Sequence, residues 1–360
     1  MKYVYILKKG LQCYPPCLAQ VLHLDDVGVD LTVYHGKNTD YINSMLDERN
    51  IEHHTFQTDK ENNNKLQSYA NFITYTIELK KILKRYDHNV IFWFGNCESA
   101  IMLGKHIKKY RFVLSVLELY ELNSLYDRLV RKIINYAECV ICCEKHRAVI
   151  MKDRYGMERY PVVIPNKPYH NLQIEEDQSV KDFICSYGDK KFVLYQGIIR
   201  KDRPVDNVAR ALKEIGDSDI YLVILGKANN SYQESIKKIY ENTVFPGYVP
   251  APQHLLITKM AMIGIAIYDD ANLNNQFCAP NKIYEYSRYG IPIIASENLG
   301  LTETVGLYHA GKCLNFKDVT AIKNGLLDII YHYDEYSDNA IELYKNTDCR
   351  KQIEDIVQNI

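Results

Sequence analysis

"APNKIYEYSRYGIPIIAS", residues 279–296, reads as a loop, a short helix, a sharp stop and a buried strand. Asn281 is placed to cap the helix, where its side chain can satisfy a free backbone N–H. Gly290 ends the helix, and Pro292 bars its continuation. Lys282 stands in the first turn, where the macrodipole is positive and a cation is mildly unfavourable. An anion bound above that turn would account for the lysine. Glu285, one turn further on, could then accept hydrogen bonds from a ribose diol. A plain i, i+3 pair between Lys282 and Glu285 accounts for the same residues equally well.

Upstream the same alternation repeats. "KFVLYQG" (191–197), "DIYLVILGK" (219–227), "TVFPGYV" (243–249) and "MIGIAIY" (262–268) read as strands. Helical patterns at 205–216, 232–242 and 253–260 separate them. The first half does likewise, with strands at 2–9, 29–36, 89–95, 111–117, 138–143 and 161–165. Helices lie between them, including the amphipathic run 66–86. Short apolar strands alternating with helices predict parallel sheets covered on both faces. Prolines, asparagines and charges at 165–180 interrupt the pattern and read as an interdomain connection. The expected fold is therefore α/β, with two doubly wound Rossmann-like domains facing across a cleft. In such sheets ligands bind beyond the carboxyl ends of the strands.

The composition is that of an ordinary globular chain of 360 residues, 25% charged, with a net charge of −1. That balance provides no global field for nucleic acid. Residues 1–170 nevertheless hold 24 Lys and Arg against 19 Asp and Glu, and the rest 20 against 26. "KHIKKYR" (105–111) and "DRLVRK" (127–132) carry much of the excess. They read either as solvated helix faces or as a patch for anionic lipid. No apolar run reaches the roughly 18–20 residues of a membrane span, and "MKYVYILKKG" is no signal peptide. The expected location is cytoplasmic, with peripheral attachment to the inner membrane face as the sharper reading. Ten cysteines fit reduced, buried thiols. "CVIC" (139–142) lies on a predicted strand, where residues three apart face opposite sides, so no metal site is expected. His23, His146, His254 and His309 lack partner spacing and are expected to be structural.

Candidate site residues gather at strand ends. Gly197 and Gly226 close two strands, and Arg200, Lys201 and Arg203 follow the first. With Lys282 and the loop Ala279, Pro280 and Asn281 they suggest a diphosphate pocket. Backbone edges near Tyr248 and Val249 would face a nucleotide base. In the first half Glu118 and Glu121 follow a strand and could face the cleft, with "GNCES" (95–99), Gly10 and Gln12 as weaker candidates.

Residues 279–296, with "VLYQGIIRKDRPVDNVARAL" (193–212), "VFPGYV" (244–249) and "ECVICCEKHRAVI…YPVVIPNKP" (138–168), resemble glycosyltransferases of the GT-B architecture. They are most similar to the retaining, sugar-nucleotide-dependent family four, the glycosyl transferases group one. The resemblance implies an acceptor-binding domain at 1–168 and a donor-binding domain at 169–338. It also implies a C-terminal helix at 339–360 that crosses back to the first domain. It places the ribose-holding glutamate on Glu285 and the phosphate-binding lysine on Arg203. The implied donor is a nucleoside diphosphate sugar, a UDP-sugar by preference, with no permanently bound cofactor. The implied acceptor is a glycan, a lipid-linked sugar or a protein, in cell-surface polysaccharide or glycoconjugate biosynthesis. The implied catalytic groups are Arg203, Lys282 and Glu118. Three positions depart from the family pattern: Phe277 replaces its first glutamate, Ile198 the arginine after the glycine, and Leu117 a histidine. A catalytically impaired GT-B partner of another glycosyltransferase is the alternative these departures raise.

Overall fold

The computed structural model describes residues 1–57, 65–170, 172–174, 176–197, 199, 203–227 and 229–360, with backbone alone at 65–69. The chain forms two compact units, Met1–Tyr169 with Asp348–Ile360, and His170–Thr347.

The first unit is built on a parallel sheet of β1 (Lys2–Leu7), β2 (Asp30–His35), β3 (Glu52–Thr55), β4 (Ile91–Phe94), β5 (Arg111–Ser115), β6 (Cys139–Cys142) and β7 (Val162–Val163). Its spatial order is β3-β2-β1-β4-β5-β6-β7. The central strands are apolar along their whole length because helices cover both faces: all four residues of "IFWF" in β4 are buried. β3 is "EHHT", an exposed polar edge strand that apolar patterning does not reveal. The "CVIC" segment is β6, with Cys142 buried and Cys139 partly so.

The second unit carries β8 (Lys191–Gln196), β9 (Ile220–Leu225), β10 (Thr243–Gly247), β11 (Ile263–Ala266), β12 (Ile293–Ser296) and β13 (Gly311–Leu314). They run parallel in the order β10-β9-β8-β11-β12-β13. The order reverses between β8 and β11, the kind of switch point at which doubly wound sheets open a crevice. The helix Val205–Ile215 buries Val205, Val208, Ala209 and Leu212, one face at helical spacing, and stops at Gly216 with φ 75°.

Two expectations are corrected. Residues 339–360 are not one helix: Tyr333–Lys345 stays with the second unit, and Cys349–Asn359 belongs to the first. The break at 346–348 is followed by Asp348, which caps the new helix by accepting from the Lys351 N–H at 3.1 Å. Cys349 and Ile353 are buried there, and Tyr3 Oη donates to the Val357 carbonyl at 3.5 Å. The helix after the Cys278 loop is Asn281–Ser287 with Pro280 as its N-cap, so Asn281 is the first helical residue and caps nothing. Proline's fixed φ suits that entry, leaving no cap position for the asparagine. No helix among the described residues is long and apolar enough to cross a membrane.

Candidate active site

Helix Asn281–Ser287 is fastened to the sheet by its aromatic residue. Tyr286 is fully buried, and its hydroxyl donates between the Leu194 carbonyl at 3.1 Å and the Ile265 carbonyl at 3.3 Å. Its ring lies where a side chain on β11 would stand: a Cβ at Gly264 would meet it at 2.4 Å. Glycine at 264 thus lets the helix sink onto β8 and β11, and its next face carries Lys282 and Glu285 to the end of β8. Both are buried, at 7% and 5% exposure.

They turn to different hydrogen-bond partners, and no ion pair joins them among the described residues. Lys282 Nζ donates to the Gln196 backbone carbonyl at 2.7 Å. It sits 4.8 Å from the centre of the Tyr195 ring and 5.5 Å from that of Tyr268. The Arg203 guanidinium lies 4.6 Å from the Tyr268 ring centre. Aromatic faces attract a cation without neutralising it, so these rings leave the charges of the two groups in place. Burial, with the neighbouring Arg203 charge, lowers the Lys282 ammonium to a pKa of about 7. Burial likewise raises the Tyr268 phenol, against the opposing pull of Arg203, so it is neutral.

The Glu285 carboxylate accepts from Gln196 Nε2, and His254 Nε2 lies 3.4 Å from it. Thr258 Oγ1 donates to Gln196 Oε1 at 2.8 Å. His254 and Thr258 belong to the helix His254–Thr258 that follows β10. His254 was expected to be structural, yet it stands beside the carboxylate expected to hold a ribose. A lone histidine gives no pattern to read; the neighbour that gives it meaning is 31 positions away.

The strand ends beside this cluster are glycines. Gly197 N–H donates to the Leu225 carbonyl and Gly226 N–H to the Gly247 carbonyl, each at 2.9 Å. Gly226 has φ 151°, and a Cβ on it would stand 2.1 Å from the Gly197 carbonyl oxygen. The strand ends are bare backbone by necessity. Gly226→Ala is expected to destabilise the fold by about 2 kcal/mol or more, through backbone strain and a forced shift of the Gly197 turn. An unchanged melting temperature would contradict it.

The remaining predicted residues are more dispersed. Tyr248 is 62% exposed, with Lys227 Nζ 5.2 Å from its ring centre, whereas Val249 is buried in the core beside Leu256. Any contact from Val249 is therefore through its backbone. Ala279 is buried and Pro280 half-buried in the loop leading to Lys282. Phe277 is half-buried at the end of the short helix Leu273–Gln276. Glu118 belongs to the first unit, exposed on the loop after β5. Leu117 is half-buried there, its carbonyl accepting from Arg147 at 2.8 Å. Arg200, Lys201 and Ile198 lie outside the described residues.

Residues 180–346, almost all of the second unit, match the family model described as Glycosyl transferases group 1. The family likeness lies in the second unit, which is similar to a group 1 glycosyl transferase domain. Both sheets together match solved structures of GT-B glycosyltransferases. HepE of Anabaena, crystallised with UDP and glucose, is 14% identical, covering 99% of this chain and 98% of its own, with TM-score 0.70. A glycosyltransferase of Rickettsia africae is 13% identical over 99% and 97%, with TM-score 0.69. The lipopolysaccharide outer core galactosyltransferase WaaB is 15% identical over the full length of both chains, with TM-score 0.64. At these identities the likeness is one of fold. No curated protein sequence matches the chain.

Proposed function

We propose that this chain transfers a sugar, with retention, from a nucleoside diphosphate sugar to a hydroxyl of a glycan, lipid-linked or protein acceptor. The group 1 domain binds the donor and the first unit the acceptor, in the making of cell-surface polysaccharide or glycoconjugate. The observation that carries this is one cluster: Lys282 and Arg203 set over tyrosine faces at the end of β8, with Glu285 one helical turn away. In the transition state negative charge builds on the leaving diphosphate, and Arg203 with Lys282, whose cation the bound diphosphate itself favours, stabilises it. The diphosphate's own oxygen can take the acceptor proton, so few side chains need act as acids or bases. Two cations on the diphosphate also supply the charge that a divalent metal would, so no permanent cofactor is required. Glu118 is proposed to face the acceptor. HepE was crystallised with UDP and with UDP-glucose, which supports a UDP-sugar donor here.

Calorimetry with UDP and GDP tests the proposal, and no binding of either near 1 mM would overturn it. A thermal-shift screen across UDP, GDP, CDP and ADP sugars would name the base. Glu285→Ala is expected to cost about 1.5–3 kcal/mol of UDP affinity, the range for hydrogen bonds to charged groups. Unchanged affinity would remove the glutamate from the ribose role.

A second reading, a catalytically impaired partner of another glycosyltransferase, is favoured by Phe277, which stands where the family's first carboxylate is expected. Sugar turnover by the isolated protein would exclude it. Cytoplasmic placement with peripheral membrane attachment completes the proposal. Its support is the solvent face of helix Leu125–Arg131, where Leu125, Arg128 and Lys132 are all exposed at helical spacing. Failure to sediment with anionic vesicles at low salt would count against attachment.

A further inference from the structure

Gln196 and His254 address a single atom. Gln196 Nε2 donates to Glu285 Oε2, and His254 Nε2 lies 3.4 Å from that same oxygen. No protein group among the described residues bonds the other carboxylate oxygen, Oε1. The Gln196 amide has one workable orientation. Turned over, it would set its own oxygen against the carboxylate, whereas in place its Oε1 receives the Thr258 hydroxyl at 2.8 Å. Thr258 is fully buried, and Gln196 is 5% exposed. The glutamine is thus gripped at both ends, by Thr258 behind and Glu285 in front. The sequence separates these residues widely: Gln196 ends β8, His254 and Thr258 share the helix after β10, and Glu285 lies on Asn281–Ser287.

We propose that Gln196 and His254 are positioning residues that pin Glu285 through Oε2 and leave Oε1 turned out to receive a nucleotide ribose. This rests on the donor reading above. An unpinned glutamate would lose its rotamer freedom when the nucleotide binds and weaken binding by that amount. Here the ordering is completed on folding. With Oε2 occupied by the Gln196 amide and faced by His254, Oε1 is the carboxylate oxygen left to accept from a ligand hydroxyl.

The experiment compares UDP with 2′,3′-dideoxyuridine diphosphate by calorimetry on the full chain and its variants. In the native protein UDP is expected to bind more tightly, because only it offers hydroxyls to Oε1. His254→Ala is expected to weaken UDP about tenfold, equivalent to about 1.4 kcal/mol, and the dideoxy compound less than about twofold. His254→Gln, whose amide N–H can reach the same oxygen, is expected to restore the preference for UDP. Gln196→Leu is expected to repeat the His254→Ala pattern. Equal weakening of both nucleotides, or of neither, would overturn the positioning role while leaving the donor reading intact. A native protein that binds the two alike would overturn the ribose role of Glu285 and this assignment with it. One that binds neither would overturn the donor reading itself.

Discussion

Lys282→Met is expected to lower sugar transfer by about 10²–10³-fold, the loss typical when one preorganised electrostatic group at developing charge is removed. The same substitution should leave the fold as stable as before, or more so. Lys282 is buried between Tyr195 and Tyr268, and among the described residues its one hydrogen bond is to the Gln196 carbonyl. Methionine has a similar length, prefers the apolar surroundings and removes the cost of a buried charge. A lysine retained only for structure would show the reverse, with a falling melting temperature and modest kinetic effect. Calorimetric UDP affinity and thermal unfolding, measured on the same samples, separate the two. A variant with native turnover would contradict the diphosphate role.

The second large effect is in pH. In the unliganded protein Lys282 titrates at about 7, because burial and the Arg203 charge disfavour its cation. A bound diphosphate is an opposite charge beside it and raises that value. UDP binding should therefore take up a proton above neutrality. Affinity is highest below pH 7, where the lysine is charged in both states, and falls as pH rises towards the higher value of the bound state. With a bound value well above 9, the loss between pH 7 and pH 9 approaches about fiftyfold. Calorimetry at pH 8 in buffers of different ionisation enthalpy reads the proton uptake directly. Binding enthalpies independent of buffer would show that Lys282 does not change protonation.

The same linkage acts on stability with its own sign. The folded value lies below the 10.5 of an unperturbed lysine. Between about 7 and 10.5 the unfolded chain binds the extra proton, so this residue makes the fold more stable as pH rises through that window. Stability and UDP affinity move in opposite directions there, which isolates the lysine from a general alkaline effect.

The central strands were legible because burial on both faces leaves only apolar residues, as in "IFWF" and "YLVIL". The edge strand Glu52–Thr55 was not, since its outer side meets water and carries polar residues. The C-terminal segment misled for a related reason. Helical periodicity continues from Tyr333 to Asn359, and the break after Lys345 lies in a few polar residues that interrupt it only briefly. At the site, Lys282 stood out because a cation in a first helical turn conflicts with the local dipole, and Glu285 followed one turn on. Their partners gave no such sign. Tyr268 and Tyr195 read as strand residues, Gln196 as an unremarked polar end, and His254 as one histidine among 11.

What the sequence determined by itself is the parallel α/β fold and the helix that presents Lys282 and Glu285. Both follow from local rules: apolar runs, glycine stops and helical spacing act over a few residues and survive being read in one dimension. Only the tertiary structure decided the state of those two side chains. The pKa of Lys282 depends on burial between two aromatic rings and on Arg203, 79 positions away, and the contacts to one oxygen of Glu285 depend on two further segments. Solvation and hydrogen bonding act through space over a few ångströms, and the chain folds those segments together only after each has taken its local form.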